Sequence, residues 1–351
     1  MISGVFQEDI ENIASSNEIR WKMMENATVL ITGATGLIGN VLVRALSAAS
    51  DKHRLNLQII AHGRNAERGG VLAQECGASF ISGDIRKPIP PDELPETIDY
   101  IVHCAAVTKS AEMVANPVDV ISTAIDGTRN ILELAKEKNC KSLVYLSSME
   151  IYGQTDLTEV RESDLGYLNL SNPRSSYPES KRLCEVQCAA YSAQYGVPIK
   201  IARLAQTFGA GTPSDDTRVF AQFARSAIAG KNIELHTEGK SRGNYCYTTD
   251  TIGALLQILI NGKNGEAYNV ANPEASATIR EMAELMADEV CNGSIKAVVN
   301  VPEDIAQRGY APDASYSLNV DKLKVLGWTP TYGLVDMYRR TIADWLHIIE
   351  R

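Results

Sequence analysis

The chain has 351 residues, 44% of them apolar, and a formal charge of −9, enough for one large α/β domain with a smaller lobe and too apolar for disorder. Its acidic balance argues against nucleic acid and anionic membranes, which attract clustered Lys and Arg. Seven cysteines without a CxxC pair read as free thiols in a reducing compartment, not as a disulfide framework or metal site. Residues 1–26 lack a continuous apolar run, and no later stretch is long and apolar enough to span a bilayer, so a cytoplasmic protein is expected.

In chain order, Ile10–Met24 is expected as an amphipathic helix, a structural extension packed on the main domain. From there short apolar runs alternate with longer helical periods: Thr28–Ile31, Gln58–Ala61, Ser79–Ser82, Tyr100–Cys104, Ser142–Ser147 and Pro198–Arg203. Runs without polar alternation are strands buried on both faces, which predicts a Rossmann-type, doubly wound parallel sheet with a smaller C-terminal substrate-binding lobe. The expected division is an extension over 1–26, a dinucleotide-binding domain over 27–208 with 243–265, and the lobe over 209–242 with 266–351. The lobe is expected to end in helices near Ile279–Val290, Val320–Leu326 and Gly333–Ile349.

Immediately after the first strand, Thr32-Gly33-Ala34-Thr35-Gly36-Leu37-Ile38-Gly39 leads into a helical run. Such a loop wants glycine for a tight turn at Gly33, close approach of a pyrophosphate at Gly36 and helix-to-strand packing at Gly39. Thr35, Leu37 and Ile38 complete the cradle, and the helix N-terminus adds free N–H groups. The second strand ends in His62-Gly63-Arg64. Gly63 replaces the acidic residue that grips the ribose of NAD, and Arg64 suits a 2′-phosphate, which leans towards NADP; a solvated loop arginine is the plainer alternative. Asp84 and Ile85 are candidates for the adenine amino group and ring, with a simple turn aspartate as the alternative.

Ser176-Tyr177-Pro178-Glu179 reads as a helix start, Ser176 as N-cap and Glu179 closing a capping box. Tyr177 and Lys181 then share one helical face. An ammonium and an oxidised nicotinamide would both favour the phenolate of a tyrosine whose ordinary pKa is about 10, letting it accept a proton while hydride leaves. Ser148, at the carboxyl end of the fifth strand, would orient the same substrate oxygen.

With these residues in view the chain resembles the extended short-chain dehydrogenases/reductases, the NAD(P)-dependent nucleotide-sugar epimerase and dehydratase family. The resemblance runs from about Thr28 to about Tyr332 and rests on TGATGLIG at 32–39, GDI at 83–85, HCAA at 103–106, LSSMEIYG at 146–153, YPESK at 177–181, RLAQTFG at 203–209 and DKLKVLGWTP at 321–330. It implies NAD or NADP as cofactor, a nucleotide-diphosphate sugar as substrate, and catalytic roles for Ser148, Tyr177 and Lys181. It also places Ala105 and Ala106 along the cofactor, and Thr108, Lys109, Gln206, Arg218 and Arg308 near the substrate. A homodimer through the helices near Val118–Lys138 and Tyr177–Tyr195 is a further implication.

The resemblance implies oxidation at sugar C4 with retained cofactor, and Glu150 decides the fate of the ketone. Two residues after Ser148, it stands where dehydratases place the base that removes the C5 proton, and where sugar-nucleotide decarboxylases also carry a glutamate. Met149 occupies the place of a proton-donating aspartate and cannot donate. The reading is therefore a 4,6-dehydratase first, with a 4-epimerase or decarboxylase close behind. An NADPH-dependent reductase and a non-catalytic NAD(P)-binding regulator are the rivals from other classes. Gly243 stands where the family pattern has an arginine, with Arg242 one place earlier, which puts nucleotide contact there in doubt.

Overall fold

The computed structural model describes residues 2–301 and 315–349. Seven strands form one parallel sheet: β1 (Thr28–Thr32), β2 (Gln58–Gly63), β3 (Ser79–Ser82), β4 (Tyr100–His103), β5 (Ser142–Ser148), β6 (Ile199–Leu204) and β7 (Ala267–Val270). Their order is β7-β6-β5-β4-β1-β2-β3, with every pairing parallel. The chain winds outward in both directions from β1, so the topological switch point lies between β1 and β4, where α/β sheets open a crevice at the strands' carboxyl ends.

Alternate residues of each strand feed two cores. Val29, Ile31, Ile59, Val102 and Val144 join the helices Leu37–His53 and Thr248–Asn261 on one face. Leu30, Ile60, Ile101, Leu143 and Tyr145 join Pro117–Glu137 and Ser176–Tyr195 on the other. The inner strands are largely apolar because both of their faces are covered, whereas β3 leaves Ser79 and Ser82 exposed and β6 carries Lys200 and Arg203. The smaller lobe has its own core, with Phe208 and Phe220 stacked at 4.2 Å. Around it lie a three-stranded sheet of Gln206–Phe208, Arg242–Tyr247 and Asn272–Thr278 and the helices Val219–Ile228 and Leu334–Ile349.

Three expectations need correction. The N-terminal helix is Gly4–Ser15, followed by a short turn at Trp21–Met24, instead of Ile10–Met24. Ser3 caps it through the Phe6 N–H, and Phe6, Ile10, Ile13 and Ala14 form its buried stripe. The strand Ala267–Val270 closes the edge of the main sheet beside β6, so the central sheet extends past residue 265. Residues 243–247 belong to the three-stranded sheet of the smaller lobe, while Cys246 and the helix Thr248–Asn261 pack in the core of the main sheet.

The extension ties the two halves together. Asp9, fully buried, accepts from the Tyr247 hydroxyl and pairs with Arg340 of the C-terminal helix, each at 2.5 Å. Arg44 of the first Rossmann helix lies over the Phe6 ring.

Candidate active site

β1 runs into a loop that only glycine permits at two of its three glycine positions. Gly33 adopts φ +66°, and a Cβ there would lie 2.8 Å from the Ala105 nitrogen; at Gly39 a Cβ would stand 2.4 Å from the Gly33 carbonyl oxygen. Gly36 is different. Its φ is −83° and an added Cβ would meet only the Gly33 carbonyl, at 3.3 Å. The fold does not require glycine at this exposed position, which leaves close approach of a ligand as its use. No side chain caps the following helix, so the first N–H groups, at Leu37, Ile38 and Gly39, are free for phosphate. Thr35 borders the same cradle, its Oγ1 3.3 Å from where a Cβ on Gly63 would be. These residues fit a dinucleotide pyrophosphate.

Farther along the crevice, Arg64 is exposed at the end of β2 and its charge bears on Asp84. Asp84 accepts the Arg86 N–H at 3.0 Å and pairs with the Arg86 guanidinium at 2.6 Å. That side-chain hydrogen bond holds its carboxyl below the usual range. Ile85 is buried against the helix Pro117–Glu137, where Gly127 makes room for it. Both adenine candidates are thus engaged by protein groups in this structure. Ala105 and Ala106 are half-buried beyond β4, and the Ala105 N–H donates to Thr32 Oγ1 at 3.3 Å. His103 joins β1 to β4 at the switch point through Thr32 Oγ1 at 2.7 Å; burial pushes it down to about 3, so it is neutral.

The chemistry gathers where β5 ends. Ser148 Oγ accepts the Glu150 N–H at 3.2 Å and lies near enough to the Tyr177 phenol to favour its ionised form. Tyr177 and Lys181 are both buried on one side of the helix Ser176–Tyr195. The Tyr177 ring packs on Met113 and Val120, with Val107 beside them. Lys181 Nζ donates to the Leu146 carbonyl at 2.6 Å and stands 5.9 Å from the centre of the Tyr177 ring. Burial lowers the Lys181 ammonium. Burial above all, then the charge of Glu150, pushes the Tyr177 phenol up, while the Ser148 hydroxyl and the charges of Arg174 and Arg218 pull it back. The protein alone therefore keeps Tyr177 neutral, and an added positive charge would be needed to free its proton.

The capping box expected at Ser176 is absent. A short turn, Pro173–Ser175, runs straight into the helix, so Ser176 is already helical with its hydroxyl unpartnered among the described residues, and Glu179 pairs with Arg182 instead. That turn carries a residue the sequence reading passed over. Arg174 pairs with Glu150 at 2.9 Å and lies 5.9 Å from the Tyr177 ring centre; its polar Asn-Pro-Arg-Ser setting carries no periodic signal.

On the substrate side, Gln206 is half-buried at the start of its short strand. Arg218 pairs with Asp216 at 2.6 Å, stacks on Phe220, and projects its charge towards Tyr177. Thr108 and Lys109 are exposed before the short helix Ser110–Ala115. Arg308 lies outside the described residues. At Gly243 a Cβ would fall 2.3 Å from the Tyr245 hydroxyl, so no arginine fits there as packed, and Arg242 turns to the Ser276 carbonyl and Glu281.

The model of the NAD dependent epimerase/dehydratase family matches residues 29–271, more than half of the chain. The protein belongs to this family. Among its relatives, UDP-glucuronic acid decarboxylase 6 of Arabidopsis thaliana is 31% identical over 309 residues, 87% of this chain and 84% of the relative. UDP-glucuronic acid decarboxylase 1 of Danio rerio is 30% identical, with 92% and 73% covered. Solved structures of the same fold include a UDP-glucose 4-epimerase of Thermotoga maritima, at TM-score 0.75 and 21% identity, covering 92% of this chain and 99% of that one. A dTDP-glucose 4,6-dehydratase of Streptomyces venezuelae, solved with NAD, matches at 0.74 and 23%, with 91% and 97% covered. The fold and the enzyme class expected from the glycine loop and the Ser148/Tyr177/Lys181 set are those of the family. The 4,6-dehydratase expectation has its likeness in structure only, whereas these sequence relatives are decarboxylases.

Proposed function

We propose that this enzyme decarboxylates a nucleotide-linked uronic acid, most simply UDP-glucuronic acid, through a transient C4 ketone. The sequence relatives named above favour decarboxylation, and one observation weighs against dehydration: Met149 sits between Ser148 and Glu150 in the turn that follows β5. A thioether there cannot protonate a departing 6-hydroxyl. Loss of carbon dioxide needs no acid for the leaving group, because a carboxylate on C5 beside a C4 ketone is a β-keto acid whose C5–C6 electron pair passes into an enolate.

Bound on the glycine loop, a nicotinamide cofactor supplies an acceptor for the C4 hydride and a donor for its return. Tyr177 accepts the C4 hydroxyl proton, Ser148 holds that oxygen, and Lys181 favours the phenolate by its charge. Glu150, half-exposed beside Tyr177 and ionised in its pair with Arg174, is proposed to relay a proton from solvent to C5 once the carboxylate has gone. Overall, uronate and one proton give pentose and carbon dioxide, with no net redox change. Gln206 and Arg218 are proposed sugar-nucleotide contacts, and Arg308 a diphosphate contact.

The glycine loop suits NAD or NADP, and Arg64 offers a partner for a 2′-phosphate. Val118, Ile121, Leu183 and Val186 are exposed on the helices Pro117–Glu137 and Ser176–Tyr195, the face proposed for a second copy in a homodimer. Among the described residues no helix is long and apolar enough to cross a membrane, and all seven cysteines are free, in keeping with work in the cytoplasm. The test is incubation with UDP-glucuronic acid, UDP-glucose, dTDP-glucose and GDP-mannose, read by mass spectrometry. A pentose product from the uronate alone is expected; dehydration of a neutral hexose in its place would overturn the reading.

A further inference from the structure

We propose that Arg174 is the residue that selects a carboxylated sugar, holding the substrate's C6 carboxylate while remaining paired with Glu150; this rests on the decarboxylase reading above. The opening observation is how the pair is made. A single nitrogen, Nη2, reaches both Glu150 oxygens, at 3.0 and 2.9 Å, in place of the two parallel bonds of a fork-to-fork pair. Nε and Nη1 have no partner among the described residues, so the guanidinium still offers donors to an anion.

The turn that carries the side chain is also fixed before any ligand arrives. Asn172 accepts the Arg174 N–H at 3.0 Å, the Ser175 hydroxyl donates to the Asn169 carbonyl, and Pro173 stiffens the turn. The turn leads directly into the catalytic helix, so Arg174 is fixed relative to Tyr177. Two other cations that bear on Tyr177 among the described residues are already committed. Lys181 is buried on the Leu146 carbonyl and Arg218 is neutralised by Asp216.

Charge decides why such a residue is needed. A uronate entering beside Ser148 and Tyr177 places its carboxylate next to that of Glu150, and two unscreened carboxylates repel strongly in a half-buried site. Arg174 between them turns the repulsion into a bridge. Sharing the guanidinium with Glu150 also limits how tightly the scissile carboxylate is held. A dedicated ion pair would stabilise the ground state more than the transition state, in which the charge is leaving the carboxylate. Arg174 thus selects the substrate without stalling it.

The test compares binding of UDP-glucuronic acid and UDP-glucose by titration calorimetry to the cofactor-loaded wild type, Arg174→Gln and Arg174→Lys, with turnover of UDP-glucuronic acid measured alongside. Loss of charge-assisted hydrogen bonds should weaken UDP-glucuronic acid by about tenfold or more in Arg174→Gln, leave UDP-glucose within about twofold, and be partly rescued in Arg174→Lys. Equal weakening of both ligands, or an unchanged preference with decarboxylation intact, overturns the assignment of Arg174 alone. A wild type that neither prefers nor decarboxylates UDP-glucuronic acid overturns the parent reading, and this one with it.

Discussion

Replacing Tyr177 by phenylalanine removes one oxygen and leaves the ring in place, so structure and chemistry can be read apart. The ring packs on Met113 and Val120 with its phenol beside Ser148, and phenylalanine preserves that packing. Loss of the hydroxyl should cost no more than about 1 kcal/mol of stability, a shift of at most a few degrees in Tm. Catalysis should suffer far more. A positioned base contributes typically about 10²–10⁴ in rate, and no second group takes over, since Lys181 is held on the Leu146 carbonyl and Glu150 faces Arg174. Stopped-flow absorbance of the reduced nicotinamide formed on mixing with UDP-glucuronic acid reads the first proton and hydride transfer alone. A variant with native-like melting and more than about a tenth of the wild-type rate would refute Tyr177 as the proton acceptor.

Gly36→Val should fold, since its φ suits any residue and its Cβ meets only one carbonyl. It should lose cofactor affinity by at least about tenfold in fluorescence titration, because the branched side chain blocks the pyrophosphate approach. Arg64→Ala should weaken NADP by about tenfold while leaving NAD within about twofold, measured the same way; equal effects on both would remove the 2′-phosphate role. Lys200, buried with its Nζ on Ser142 Oγ at 2.8 Å, is pushed by burial from 10.5 down to about 8. The folded state disfavours its charge, so wild-type stability should rise as pH climbs from about 8 towards 10.5. Lys200→Met should lack that rise and be more stable at pH 7 by up to about 2–3 kcal/mol in urea unfolding.

The sheet was legible because strands covered on both faces are apolar at most positions, and six such runs are separated by helical periods. The glycine loop was legible because two backbone demands, at Gly33 and Gly39, and an open position at Gly36 fall within seven residues. The seventh strand escaped because Ala267-Tyr268-Asn269-Val270 is short, at a sheet edge, and interrupted by an asparagine that bonds the Tyr152 hydroxyl. The N-terminal helix was misplaced because its register is fixed by Ser3 and by Asp9 meeting Arg340, 331 residues away. Arg174 was passed over for the same reason: the partner that gives it meaning, Glu150, lies on another element.

The central claim, decarboxylation through a C4 ketone with retained cofactor, is met most directly by NMR of UDP-glucuronic acid labelled with carbon-13 at C6 and incubated with the enzyme in heavy water. The account predicts labelled bicarbonate, a UDP-pentose bearing one deuterium at C5, and no net consumption of nicotinamide. A product that keeps the labelled carbon, inverted at C4 or otherwise altered, would contradict it.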